Sequence, residues 1–532
     1  MVPDLVISNA TVYTVDGGRP SATSFAVSDG RIVALDKVEP GPRTEVRDLG
    51  GAFVMPGFVD VHSHHALAGR EMFELRLSPA DDLPRILAAV RKWAAGLGPD
   101  DWIVGGAWPS TLAPALLRES ARHALDDAAD GRPVVLIEDS RHNRWVNSRA
   151  LEIAGITAAT PNPPGGTIGR DPSTGAVTGL LIESAGLLVE RARQATRPLT
   201  ATQHADASRR AIAILHSYGI TAFQDAAVSL DILRALKTLD DAGDLAAWVV
   251  SSMLVNDPIF GVEPVGEPLL KLAAGCRTPR HRPDFVKIFL DGTPPAHTAA
   301  FLEPYGGKPA MSPDELVSWL EIAAAEGLSA KIHCTGDAAV RATLDAAATL
   351  RAGGDHTTRI QVAHGQFVHP DDLRRFAELD VSADISPFLW TPGVIPTAIA
   401  QVLPARLADH MQPNRALLDH GALVAGGTDW PVSESPNPWL GIQGLVTRRD
   451  PNGVHAGVLW PEQAISLSEA IEVFTINAAR ACGLDDVTGS LTVGKSADFL
   501  VLDRNPFATP VDELARVTVD ETWFAGRRVF RR

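Results

Sequence analysis

Between Phe53 and Gly427 one rhythm recurs, an apolar strand-like run followed by an amphipathic stretch, and it constrains the fold more than any other feature. The runs are Phe53–His62, Ile220–Asp225, Ala247–Leu254, Phe285–Leu290, Ser329–His333, Ile360–His364, Val381–Ile385 and Leu423–Gly427. Helical spacing is clearest at Pro313–Glu326, Ala338–Leu350 and Pro370–Leu379. Strands that read as continuous apolar runs, separated by helices, belong to a parallel sheet covered on both faces. Eight such units closing on themselves give an α/β protein of the (β/α)8, TIM-like barrel class.

The two ends of the chain read differently. Leu5–Asn9, Thr11–Val15, Phe25–Ser28 and Arg31–Leu35 are rich in Val, Ile and Thr, and Asp-Gly turns stand at Asp16–Gly17 and Asp29–Gly30. Ala497–Leu502, Val517–Phe524 and Arg527–Phe530 repeat that texture. The expected organisation is a small β-sandwich from residues 1–54 with 486–532, around a barrel of residues 55–485. The stretch from Ala66 to Leu215 is far longer than a barrel loop needs. It holds helical runs, a strand-like Pro133–Glu138 and a turn-rich Pro161–Gly169, so residues 66–215 are expected to form an inserted α+β subdomain. Loops after barrel strands open on the catalytic face, which would put this insertion over the site.

Charge narrows the partners. The net charge of −16 repels phosphate backbones, so no nucleic acid is expected. Cys276, Cys334 and Cys482 are widely spaced and indicate neither a thiolate zinc knot nor a disulfide framework. MVPDLVISNATVYTVDG lacks the charged and apolar regions of a signal peptide, and no apolar run reaches the length of a membrane span. No membrane partner and a cytoplasmic location are the resulting expectations, with a homodimer left open.

The chemistry concentrates at the ends of the strand-like runs. His62 and His64 stand at i and i+2, which in a strand places both side chains on one face. Alone, an H-x-H pair is more often incidental than metal-binding. His333 ends Ala330-Lys-Ile-His, His364 ends Gln361-Val-Ala-His, Asp429 follows Val424-Ala-Gly-Gly-Thr, and Lys287 interrupts an otherwise apolar strand. Each has a bland reading, a satisfied buried histidine or a strand-end lysine. Together, at one barrel mouth, they point to imidazole and carboxylate ligands for a zinc-type ion.

These segments resemble the amidohydrolase superfamily, and within it the amidohydrolase-3 branch of YtcJ-like proteins that includes the N-substituted formamide deformylases. The matching motifs are PGFVDVHSH, WIVGGAW at Trp102–Trp108, RWVNSRAL at Arg144–Leu151, VKIFLDGT at Val286–Thr293, IHCTGDAAV at Ile332–Val340, VAHGQFV, GGTDWPV and the terminal TINAARA…GSLTVGKSADFLVLDRNP. The resemblance spans nearly the whole chain. It implies metal ligands at His62, His64, His333, His364 and Asp429, and a Lys287 that carbon dioxide can carboxylate into N6-carboxylysine, an anionic bridge between two ions. Zn2+ is the expected ion, one or two per chain, with Mn2+, Fe2+ or Co2+ as substitutes. An unmodified Lys287 would leave a mononuclear site.

The implied chemistry is hydrolysis of a non-peptide C–N bond by metal-activated water, with Asp429 as general acid–base. Candidate substrate contacts are Trp108, Trp145, Trp390, Trp430, Asp291 and His297, with the backbone near Gly336. Trp439 is a further tryptophan expected near the mouth, and Arg141, Arg144 and Arg149 could meet a carboxylate if they face inward. Tryptophans at the mouth would favour an apolar or aromatic group on a small-molecule amide, an N-substituted formamide or N-acyl amine. Cyclic amide or imide hydrolysis, or deamination, is the alternative within the superfamily; Cys-Thr-Gly-Asp after His333 does not clearly supply the acidic proton shuttle a deaminase needs. A non-catalytic scaffold should lack some ligands, whereas all six positions are filled here.

Overall fold

The computed structural model describes all residues except 1, 37–38, 72, 79, 140, 142, 258–263, 304 and 306. Its centre is an eight-stranded parallel sheet in sequential order. The strands are β1 Phe58–Ser63, β2 Ile220–Val228, β3 Trp248–Leu254, β4 His281–Phe289, β5 Ser329–Cys334, β6 Ile360–His364, β7 Val381–Ile385 and β8 Val424–Gly426. The sheet closes just beyond β8. Asp429 N–H donates to His62 O at 2.6 Å, His64 N–H donates to Trp430 O at 2.8 Å, and Ser63 bridges Trp430 in parallel. Closure therefore brings the end of β8 against the end of β1, and with it Asp429 against the two histidines.

The connecting helices carry their own start signals. Helix α3 (Pro313–Ala325), which follows α1 (His65–Glu71) and α2 (Ala201–Ser217) in the chain, opens on a reciprocal capping box between Ser312 and Glu315 with proline in its first turn. Helix α4 (Asp337–Ala352) leads back to β6. The stretch Pro370–Leu379, expected as one helix, is instead a short 3-10 turn, Pro370–Asp372, followed by one helical turn, Arg375–Glu378.

The run expected as one strand, Phe53–His62, is two. Phe53–Pro56 pairs antiparallel with Phe499–Leu502, whereas Phe58–Ser63 pairs with β2 in the barrel. The break falls at Gly57, where a Cβ would stand 2.2 Å from Thr221 Oγ1, so only glycine lets the chain pass from one sheet to the other here. An apolar run carries no mark of which sheet each half joins.

Strands from both ends of the chain share one six-stranded sheet, in which Phe499–Leu502, Val519–Phe524 and Arg527–Arg531 lie beside Phe53–Pro56, Thr11–Tyr13 and Ser21–Ala22. A four-stranded sheet of Leu5–Ser8, Phe25–Ser28, Arg31–Leu35 and Glu45–Asp48 accompanies it. Ile7, Phe25, Val54, Phe499 and Trp523 pack in one core between them. Between β1 and β2 the chain forms a further six-stranded sheet, from Leu75–Arg76 to Val177–Glu183. Among the described residues, no helix is long and apolar enough to cross a membrane.

Candidate metal centre at the barrel mouth

His62, His64 and Asp429 offer ligand atoms that all lie within 4.8 Å of one another. Asp429 Oδ1 is 3.3 Å from His64 Nε2 and 3.7 Å from His62 Nε2. Around them the rings of His62 and His364 are 4.7 Å apart, as are those of His364 and His333. Four histidines and a carboxylate thus converge from β1, β5, β6 and the segment after β8.

Two of these residues reach the cluster through unusual backbone. His364 has φ 73° and Asp429 φ 54°, left-handed conformations that cost a non-glycine residue about 1–3 kcal/mol each. In β6, His364 is level with Cys334, which packs away from the cluster against Thr343. Regular alternation would send His364 the same way, and the left-handed turn redirects its ring to His62 and His333.

Burial sets the charge states. It drives the pKa of His62 well below the ordinary imidazole range, with Lys287 and Lys331 adding to the effect. Burial does the same to His364, assisted by His62. Neutral imidazoles with a free lone pair are the form that binds a cation. Lys287 is 1% exposed and its pKa falls to about 7, first from burial and then from Lys331. Lys331 stands directly opposite it across β4 and β5. Among the described residues Lys287 makes no ion pair, and its ammonium lies 4.8 Å from the Phe289 ring centre.

Several groups that hold the cluster were not among the sequence candidates. Asp384 on β7 accepts from His62 Nδ1 at 2.8 Å, and its same oxygen is paired with the Lys331 ammonium. Asp60 accepts from Thr428 Oγ1 at 2.6 Å, Thr428 N at 3.0 Å and His62 N at 3.0 Å, tying β1 to the segment that carries Asp429. Burial pushes Asp60 up to about 7, against the lowering by its Thr428 hydrogen bonds. His65 joins Asp225 at 2.5 Å and Ser208 at 3.1 Å, which locks α1 to β2 and α2 just after His62 and His64. The available signal was a polar residue inside an apolar strand, as in Val381-Ser-Ala-Asp-Ile and Ser329-Ala-Lys-Ile-His.

The expected substrate contacts are placed unevenly. Trp108 and Trp145 are fully buried in the core of the inserted sheet, and Trp108 Nε1 donates to Leu136 O at 2.9 Å, so both are packing residues there. Asp291 is buried as well. It accepts from His333 Nδ1 at 3.0 Å, Thr335 N at 3.0 Å and Gly336 N at 2.9 Å, so it orients a candidate ligand and occupies the Gly336 amide expected to meet substrate. His297 is exposed at the end of a short 3-10 turn after β4 and contributes no ligand to the cluster. Trp390 stays at the site, its ring 6.4 Å from that of His364. Trp430 takes part through its backbone, and its side chain packs in the barrel core with Trp439. Arg144 pairs with buried Glu190, Arg141 with Glu71, and Arg149 is exposed beside Glu152.

The family model whose description is "Amidohydrolase family" matches residues 45–530. Protein LONG AFTER FAR-RED 3 of Arabidopsis thaliana is 29% identical, over 100% of this chain and 92% of that protein. The N-substituted formamide deformylase of Arthrobacter pascens is 28% identical over 98% and 97%, and the putative amidohydrolase YtcJ of Bacillus subtilis 28% over 98% and 98%. In fold, the chain matches an uncharacterized metal-dependent hydrolase from Pyrococcus horikoshii with a TM-score of 0.75 at 23% identity, covering 95% of this chain and 99% of that one. With a match of this extent to the family model and to relatives along nearly their whole length, the chain belongs to the amidohydrolase family, in its amidohydrolase-3, YtcJ-like branch.

Proposed function

We propose that the protein hydrolyses the C–N bond of a linear amide, an N-substituted formamide or N-acyl amine, at the barrel mouth. The observation that carries this reading is the convergence of His62, His64 and Asp429 within ligand distance of one another, with His333 and His364 beside them. The similarity to a formamide deformylase along both chains supports the substrate class.

The donor set fits a zinc-type ion. Neutral buried imidazoles and one carboxylate are borderline ligands, and the buried His64 Nδ1 has no hydrogen-bond partner among the described residues. His62, His64 and Asp429 would hold the ion with His333 and His364; Mn2+, Fe2+ or Co2+ suit the same donors. A bound dication supplies Lewis acidity toward the amide carbonyl and lowers the pKa of water. Lys287, with its pKa near 7, has a substantial neutral fraction at neutral pH, the form whose nitrogen can add to carbon dioxide with loss of one proton. Such a carbamate would supply a further anionic ligand.

Asp429 does the proton work in this reading. Its carboxylate sits against both His62 and His64, where it can accept the proton of attacking water and return it to the leaving nitrogen. Trp390 offers an aromatic wall beside His364 for the substituent on that nitrogen. The test is product analysis of metal-loaded protein on an N-substituted formamide: equimolar formate and primary amine are expected. Turnover confined to cyclic imides, or ammonia as the nitrogen product, would reject the linear-amide reading in favour of ring opening or deamination.

A further inference from the structure

Asp384 and Lys331 extend from the candidate ligand His62 as a chain of buried polar contacts and add no ligand of their own to the cluster. All three side chains are 0–1% exposed. They come from β7, β5 and β1, and the strand register gives their heights. His333 is level with Ala363 and Ala363 with Asp384, so Asp384 stands in the layer of the ligands. Lys331 is level with Lys287 and Gln361, one layer deeper. Asp384 Oδ2 accepts both from His62 Nδ1, at 2.8 Å, and from the Lys331 ammonium, while Asp384 Oδ1 has no partner among the described residues.

We propose that Asp384, held by Lys331, is the positioning residue that presents His62 Nε2 to the ion. An imidazole that donates from Nδ1 to a carboxylate is fixed in ring orientation and in tautomer, which leaves the lone pair on Nε2. That nitrogen is the one facing Asp429, at 3.7 Å. A buried ion pair kept for stability alone is a poor explanation of the pattern. Desolvating an ammonium and a carboxylate costs as much as their pairing returns, and apolar neighbours of similar volume do as well. A pair built for stability would also employ both carboxylate oxygens, whereas here one oxygen takes both donors and the other takes none among the described residues. The arrangement divides two adjacent lysines by role. Lys331 is committed to Asp384, and Lys287 makes no ion pair among the described residues.

The inference rests on the metal site proposed above, and the experiment separates the two. Zn2+ affinity of metal-depleted protein is measured by competition with a chromophoric chelator in the wild type, Asp384→Asn, Lys331→Met and the charge-balanced double variant Lys331→Met/Asp384→Asn. The visible spectrum with Co2+ and the metal-free melting midpoint are recorded alongside. The wild type should bind; Asp384→Asn should weaken binding about 10–100-fold and shift the Co2+ spectrum. The double variant should be no weaker than Asp384→Asn alone, because both changes act through one oxygen. It also carries the test if a single variant, with an unpaired buried charge, fails to fold. A wild type that binds no Zn2+ overturns both readings. A wild type that binds, beside a folded double variant of unchanged affinity and Co2+ spectrum, overturns the positioning role alone.

Discussion

The two ends of the barrel use histidine in opposite ways. At the start of β4, His281 is fully buried, with Nε2 on Ser251 Oγ at 2.9 Å and Nδ1 on Cys276 O at 3.0 Å. Both ring nitrogens are spent on the protein, and burial lowers its pKa to about 4. At the mouth, among the described residues, His62 and His333 each hydrogen-bond through Nδ1, to Asp384 and Asp291, and His64 Nδ1 has no partner. The Nε2 atoms of His62 and His64 lie 3.7 and 3.3 Å from Asp429 Oδ1, and the His333 ring stands against that of His364. Buried polar groups are almost always satisfied, so a cluster of half-used histidines implies a ligand where a fully used one implies packing. The C-terminal ends of barrel strands are also where this fold places its chemistry.

That contrast can be broken by substitution, and the largest effect belongs to the mouth. His64→Ala should reduce amide hydrolysis by metal-loaded protein to the uncatalysed background, with the melting midpoint of the metal-free protein within a few degrees of wild type. Asp429→Asn should lower kcat by about 10²–10⁴-fold with a smaller change in KM, as expected for loss of a general acid–base. Steady-state kinetics on an N-substituted formamide checks both.

At the other end, His281→Gln should leave kcat and KM unchanged and alter only the pH dependence of stability. The folded pKa of His281 is depressed below the unfolded value of 6.5, so between pH 6.5 and about 4 the unfolded chain binds the extra proton. Stability therefore falls as pH falls through that window, by up to roughly 3 kcal/mol from this group. Urea denaturation at pH 7 and pH 4.5 should show a shallower decline in His281→Gln than in wild type, the remainder coming partly from His216, whose pKa burial also lowers to about 4. An equal decline in both proteins would show that His281 is not held neutral by the fold. The smallest effect is expected from Trp108→Phe, which removes the hydrogen bond to Leu136 O and part of a buried ring. It should cost roughly 1–3 kcal/mol of stability with KM unchanged, whereas a raised KM would return Trp108 to the substrate site.

The barrel and the gathering of the candidate ligands His62, His64 and Asp429 at its mouth were legible because they rest on local signals. Apolar runs alternating with helical spacing gave eight strands, and histidines at strand ends named the mouth. Less visible were features that depend on how strands meet. Gly57 divides an apolar run between two sheets only because Thr221 lies against it. Asp291 looked available to substrate, and its commitment to His333, Thr335 and Gly336 appears only when the segment after β4 meets the end of β5. Trp108 and Trp145 sat in motifs expected at the mouth, yet they fill the core of the inserted sheet, the common fate of a large aromatic. Asp384 and Lys331 were charged residues inside largely apolar strands, and the Asp384 oxygen that Lys331 shares with His62 is a product of the β5–β7 register.

The most direct measurement of the central claim is the metal content of protein purified without chelator, compared across the two classes of histidine. Elemental analysis should find at least one transition-metal ion per chain in the wild type and in His281→Gln, and a substoichiometric amount in His62→Ala. A wild type without stoichiometric metal, or a His62→Ala variant that keeps its full complement, would contradict the account.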